Sequence, residues 1–103
     1  MRVPAAADAL ELTVQRTLSR GVAELVDNQV KHAPAGARCS VEIALNDHQV
    51  TLRARNEWGP GVPEPELGWG LKGLRERVLL TGGSFAAAVN GAQWCVTVTV
   101  PHE

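Results

Sequence analysis

The sequence holds little cysteine, no long apolar run and almost no net charge, and each shortage excludes something. Cys39 and Cys95 are too few and too far apart for a disulfide framework or a zinc site. Both fall in strand-like segments and read as small buried apolar residues. No run of about 18 apolar residues occurs, so no segment reads as a membrane-spanning helix. Residues 1–9 lack the charged-then-apolar pattern of a secretory leader. Ten Lys and Arg against eleven Asp and Glu leave a formal net charge of −1. That balance lacks the clustered basic excess of a nucleic-acid binder; Lys72, Arg75 and Arg77 form only a local group on one predicted helix. There is no internal repeat and no low-complexity tract. The expectation is a single cytoplasmic domain over residues 1–103, with no nucleic-acid partner and no direct membrane contact.

What the chain does hold is ordinary globular composition, 45% apolar and 20% charged. Its 103 residues suit one domain with a core that needs no staples. From Asp8 to Ala33, apolar residues recur at three- and four-residue steps through Leu10, Val14, Leu18, Val22, Leu25 and Val26, the period of one helix face. Asp8 is a candidate cap, and Ala33, preceding Pro34, is biased out of helical dihedrals. Gly21 inside the pattern costs about 1 kcal/mol against alanine and so marks a close packing contact. Two alternating runs follow, Cys39–Leu45 and Gln49–Asn56, joined by Asn46-Asp47-His48 as a hairpin with one face buried. Asn56 to Gly70 carries four glycines and three prolines and predicts no regular element. Helical spacing returns over Leu71–Thr81 and ends at Gly82-Gly83. Ser84–Val89 and Trp94–Val100 predict a second hairpin about Asn90-Gly91. This order implies an α/β (α+β) two-layer sandwich, helices packed on a mixed, largely antiparallel sheet.

Glu24 and Asn28 stand one turn apart and project from one helix face, with Lys31 and His32 a turn further on. Carboxylate and carboxamide oxygens suit Mg²⁺, and Lys31 or His32 can meet phosphate charge. Taken alone, a solvated helix face explains such a pair more often than not. The glycines alter that balance. Glu57-Trp58-Gly59-Pro60-Gly61 follows a strand, and Gly68-Trp69-Gly70-Leu71 opens a helix whose N–H groups and dipole favour phosphate. Neither run is a phosphate loop of the Gly-Lys-Ser/Thr kind. Gly68, Gly70 and Gly73 do not suit a dinucleotide fold either, because they follow a loop and not a strand.

These three segments resemble, in order and spacing, the boxes of the GHKL ATPases. Within them the chain is similar to the catalytic domains of short-lid sensor histidine kinases typified by nitrate-responsive sensors. The resemblance runs from about Val14 to Pro101. It rests on Glu24-x-x-x-Asn28-x-x-Lys31-His32-Ala33, on Glu57-x-Gly59-x-Gly61, and on Gly68-x-Gly70-Leu71-x-Gly73-Leu74-Arg75-Glu76-Arg77-Val78. Only Val62 to Leu67 separate the last two, where many relatives carry a longer lid. The resemblance implies the Bergerat fold, with ATP between the helical layer and a lid. It implies that Asn28 coordinates Mg²⁺, that Lys31 and His32 lie near the phosphates, and that Gly59, Gly61, Gly68 and Gly70 shape pocket and hinges. The N-terminus at Leu71 would cradle phosphate, and Glu24 would support the Mg²⁺ site or the incoming histidine.

Three positions depart from the family. Glu57 replaces the aspartate that accepts the adenine amino group, and Trp94 stands where many relatives carry threonine. Trp69 sits between the lid glycines, stacking near the nucleotide or covering apolar surface. His32, His48 and His102 do not lie on a dimerisation helix beside an acid. The resemblance therefore implies phosphorylation of a histidine elsewhere in a parent protein that can be membrane-anchored, then transfer to a response regulator. This fragment would itself be monomeric. A free-standing serine kinase of the anti-sigma-factor type is an alternative, which Arg75-Glu76-Arg77-Val78 disfavours. Others are a degenerate nucleotide-binding docking module, kept open by Glu57 and Trp94, and a non-nucleotide interaction domain.

Overall fold

Periodicity becomes architecture in a computed structural model, which describes residues 12–58 and 67–102. The order is α1 (Leu12–His32), β1 (Cys39–Leu45), β2 (Gln49–Glu57), α2 (Trp69–Leu80), β3 (Ser84–Asn90) and β4 (Gln93–Pro101). The strands form one sheet in the order β1-β2-β4-β3. Every pairing in it is antiparallel, with no parallel pair among the described strands. The candidate cap Asp8 lies outside the described residues.

The central strands explain the core. In register, Val50 faces Val100, Leu52 faces Val98, Ala54 faces Val96 and Asn56 faces Trp94. All eight are buried on the side that carries both helices. Val14, Leu18 and Leu25 of α1 and Leu71, Leu74 and Val78 of α2 close over them. Each fully buried Leu or Val contributes about 2 kcal/mol from apolar area alone. Gly21 lets the layers converge, since a Cβ there would stand 2.8 Å from Leu52 Cδ2 and 3.5 Å from Leu74 Cδ1. Gln29 continues the buried stripe of α1, and its Nε2 donates to the carbonyls of Ser40 (3.1 Å) and Arg55 (3.0 Å). That pair of bonds ties the last turns of α1 to the β1–β2 ladder and fixes the helix's rotation.

The hairpins follow local chemistry. Asn46 Oδ1 accepts the N–H groups of His48 (2.9 Å) and Gln49 (2.8 Å), building the first turn. The second turns on Gly91 and Ala92, one residue later than the Asn-Gly pattern predicts. Gly91 takes φ +63°, and Ala92 keeps a negative φ, the II′ arrangement suited to strand twist. His102 is structural: its N–H donates to His48 O (2.9 Å) and its Nε2 lies 2.9 Å from Asn46 O. The cysteines differ from expectation, with Cys39 exposed and Cys95 half-buried. Cys39 opens an edge strand, and Cys95 has the outward phase of β4 between buried Trp94 and Val96.

Candidate functional site

The last turns of α1 meet the first turn of α2 around a cleft of about 220 Å³. Glu24, Asp27, Asn28, Lys31 and His32 line it from α1, and Gly68, Trp69, Gly70 and Leu71 line it from the other side. The two motifs touch at Gly70. A Cβ there would overlap Glu24 Oε2, so the carboxylate occupies space that only glycine leaves. Leu71 is buried beneath, rooting the start of α2 in the core.

Helix α2 begins without a cap. Gly68 at the N-cap is extended (φ −74°, ψ 175°), makes no side-chain cap bond, and is followed by no acid in the first turn. The amides of Trp69, Gly70 and Leu71 have no intrahelical acceptor at this end, and the dipole adds positive potential. Opposite them stand the Glu24 and Asn28 oxygens. Lys31 reaches Asp27 Oδ2 at 2.9 Å in an exposed one-turn pair, so its charge is partly neutralised at the rim. His32 is exposed beside it. Trp69 is 90% exposed, with Lys72 Nζ 5.7 Å from its ring centroid. It therefore covers no core surface and stands over the mouth of the cleft.

Glu57 is not brought to this cluster. Its Oε1 accepts the Arg38 N–H at 2.7 Å, and its own N–H donates to Arg38 O at 3.1 Å. It lines a separate open groove of about 590 Å³ with the Pro34–Arg38 segment, Trp58, Ala92 and Gln93. Strand alternation is the reason: Val50, Leu52, Ala54 and Asn56 share the inner face, and Glu57 has the opposite phase. Asn56 holds the inward position instead, 2% exposed, its Nδ2 donating to Glu57 O at 3.1 Å. Across the ladder Trp94 is 3% exposed, and its buried Nε1 has no hydrogen-bond partner among the described residues. Half-buried Trp58 packs on it with ring centroids 6.5 Å apart at 44°. Gly59 and Gly61 lie outside the described residues.

Two residues of consequence escaped the sequence reading. Asn56 could have been found by extending the β2 alternation one step, from Ala54. Gln29 could have been found as a polar residue on the Leu18–Gly21–Leu25 stripe of α1. Among the described residues no cluster of three His, Cys, Asp or Glu could hold a metal by itself, and no helix is long and apolar enough to cross a membrane. A cation at Asn28 and Glu24 would complete its shell with phosphate oxygens and water, as Mg²⁺ commonly does. The donor set fits that ion.

No family model matches the sequence. Over 74 residues the chain is 34% identical to the sensor histidine kinase LnrJ of Bacillus subtilis, covering 72% of this chain and 18% of that protein. The chain thus spans under a fifth of that relative's length. Among solved structures it is similar to a histidine kinase domain from the blue-light activated histidine kinase of Erythrobacter litoralis. That match has a TM-score of 0.70 and 18% identity, over 86% of this chain and 48% of that one. The catalytic domain of histidine kinase ThkA gives 0.68 and 16%, over 84% of this chain and 67% of that one. The Acinetobacter baumannii histidine kinase AdeS gives 0.67 and 19%, over 84% and 46%. The architecture is that of histidine kinase catalytic domains, the GHKL fold, and the sequence resembles part of a sensor histidine kinase over nearly three-quarters of its length.

Proposed function

We propose that the chain is the ATP-binding catalytic domain of a two-component sensor histidine kinase. In this reading it binds Mg-ATP between α1 and α2 and passes the γ-phosphoryl group to a histidine on a separate dimerisation domain of its parent. The observation that carries the reading is the meeting of Glu24 and Asn28 with the uncapped start of α2 across Gly70. Asn28 offers a hard oxygen to Mg²⁺, which when bound supplies charge neutralisation to the phosphates. The amide N–H groups of Trp69, Gly70 and Leu71 donate to phosphate oxygens. Lys31 adds positive charge at the rim, and His32 a ring nitrogen able to donate to phosphate. Glu24 supports the ion through its carboxylate or receives the incoming imidazole, and Gly70 holds that carboxylate in place.

In this reading the base reaches beyond the cleft to the inner face of β2 and β4, where Asn56 and Trp94 lie buried, while Glu57 braces Arg38. The domain acts in the cytoplasm as a monomeric unit, and a response regulator receives the phosphoryl group from the parent. A second reading, a docking module without catalysis, draws on the outward Glu57 carboxylate and the buried indole of Trp94. Calorimetry separates the two. Mg²⁺-dependent ATP binding in the micromolar-to-millimolar range, followed by phosphorylation of a dimerisation domain added in trans, supports the kinase. Absence of ATP binding overturns it.

A further inference from the structure

On the solvent side of the helical pair, a groove runs from the cleft toward the start of α1. It consists of two cavities, about 460 Å³ and 330 Å³, that share Arg16 and Arg77. Arg20 lines the first and Leu80 the second. Three guanidinium groups thus face one groove in a chain whose formal net charge is −1. None of the three has a carboxylate within salt-bridge distance among the described residues, where Lys31 with Asp27 is the ion pair present. Arg16 and Arg20 stand one turn apart on α1, a like-charge spacing that costs helix stability slightly. Glu24 is the groove's one carboxylate, at the end where it also borders the cleft. The opposite end is lined by Thr13, Thr17 and Thr81 and by one apolar side chain, Leu80, which is 89% exposed.

We infer that this groove is the docking site of an acidic amphipathic helix. Carboxylates one turn apart on such a helix match arginines one turn apart on α1, and guanidinium groups bind carboxylates through two parallel hydrogen bonds. A leucine or similar residue at the end of the same helix covers Leu80, whose exposed surface has nothing to offer a phosphate backbone. The charge of the whole chain gives a long polyanion no general attraction. An acidic helical protein segment therefore fits better than a nucleic acid. The inference does not depend on nucleotide binding at the neighbouring cleft.

The test uses a fluorescein-labelled synthetic amphipathic helix of glutamate, alanine and leucine, titrated with the chain and read by fluorescence anisotropy. The wild-type chain binds it, and Arg16→Glu with Arg77→Glu weakens binding by about tenfold or more, the loss expected when charge pairs become repulsive. Leu80→Ala weakens it by about threefold, and salt weakens it throughout. A lysine-for-glutamate version of the peptide prefers the doubly reversed variant. Circular dichroism checks the fold of each variant. Should charge reversal unfold the chain, Arg16→Gln with Arg77→Gln gives the same comparison with a smaller loss. Equal binding of the peptide by wild type and variants overturns the inference. So does binding of polyglutamate or oligo-thymidine as tight as that of the amphipathic helix. A wild-type chain that fails to bind Mg-ATP counts against the kinase reading alone and leaves this comparison intact.

Discussion

Two regions under the helical layer, the α1–α2 cleft and the inner face of the β2–β4 pair, are built on opposite terms. In the α1–α2 cleft, Glu24, Asn28 and the first amides of α2 keep access to water, and glycine stands where a side chain would displace the carboxylate. On the β2–β4 face, Asn56 and Trp94 are buried, with the Trp58 indole packed at a tilt against Trp94. A phosphate-binding region must exchange a highly charged ligand, and hydrated donors held by a helix do that at little cost. Burying polar groups without partners costs about 1–3 kcal/mol each, so the strand face should favour apolar and stacking contact. The comparison breaks most sharply at Asn28. Asn28→Ala should lower Mg-ATP-dependent phosphotransfer by about a hundredfold or more, the scale of losing an electrostatic contact to the transferred group. Thermal melting should barely move, because Asn28 is half-exposed and bonds nothing in the core. Retained transfer to a dimerisation domain would remove Asn28 from the site.

Gly70 and Gly73 give the next contrast, three residues apart on one helix. Gly70→Ala drives its new methyl into the Glu24 carboxylate, the mobile end of a side chain, so the fold tolerates it while the carboxylate shifts. Phosphotransfer should fall about tenfold, as expected when a group near the reacting centre is misplaced. Gly73→Ala meets nothing within 4 Å and should stabilise the helix by up to about 1 kcal/mol with transfer unchanged. Paired melting and transfer measurements on the two variants decide it. Similar losses in both would show that helix stiffness matters and the Glu24 contact does not.

Much of this was legible before any coordinates. Period-2 and period-3.6 patterns locate all six described elements, because burial of one face is the strongest signal a sequence carries. The Glu24–Asn28 face and the Gly68–Leu71 start were also readable, since helix geometry fixes one and glycine chemistry the other. Glu57 was readable as a motif residue, but the side of the sheet it faces was not. Motif spacing draws attention to a carboxylate next to the glycines, while the pleat decides which of two adjacent residues faces inward, and it turns Asn56 there. The two hydrogen bonds from Gln29 Nε2 to the carbonyls of Ser40 and Arg55 join residues 11 and 26 positions away, a contact no local pattern encodes.

That pleat argument makes a prediction at Asn56 and Glu57. Asn56→Ala should weaken ATP about fivefold and destabilise the fold by about 1–2 kcal/mol, through the lost bond to the Glu57 carbonyl and the emptied buried site. Binding of inorganic triphosphate should be unchanged, which assigns the loss to the base. Glu57→Ala removes only the exposed bond to the Arg38 amide, and ATP affinity should stay at the wild-type value. Calorimetry with both ligands on both variants is the measurement. A larger ATP loss in Glu57→Ala than in Asn56→Ala would return the base contact to the carboxylate.

The smallest effect is expected at Trp94, where it separates packing from recognition. Trp94→Phe removes the buried Nε1, which has no partner among the described residues, and some apolar contact with Trp58. Losing an unsatisfied donor stabilises by about 1–3 kcal/mol, and shrinking a core aromatic costs a similar amount, so the two nearly cancel. The free chain should melt within a few degrees of wild type. An indole N–H that meets an acceptor on the nucleotide would be missed only when nucleotide is bound. The Mg-ATP-induced rise in melting temperature should therefore shrink, corresponding to about twofold weaker binding. An unchanged rise, with the free chain equally stable, would make Trp94 a packing residue and leave Asn56 to read the base by itself.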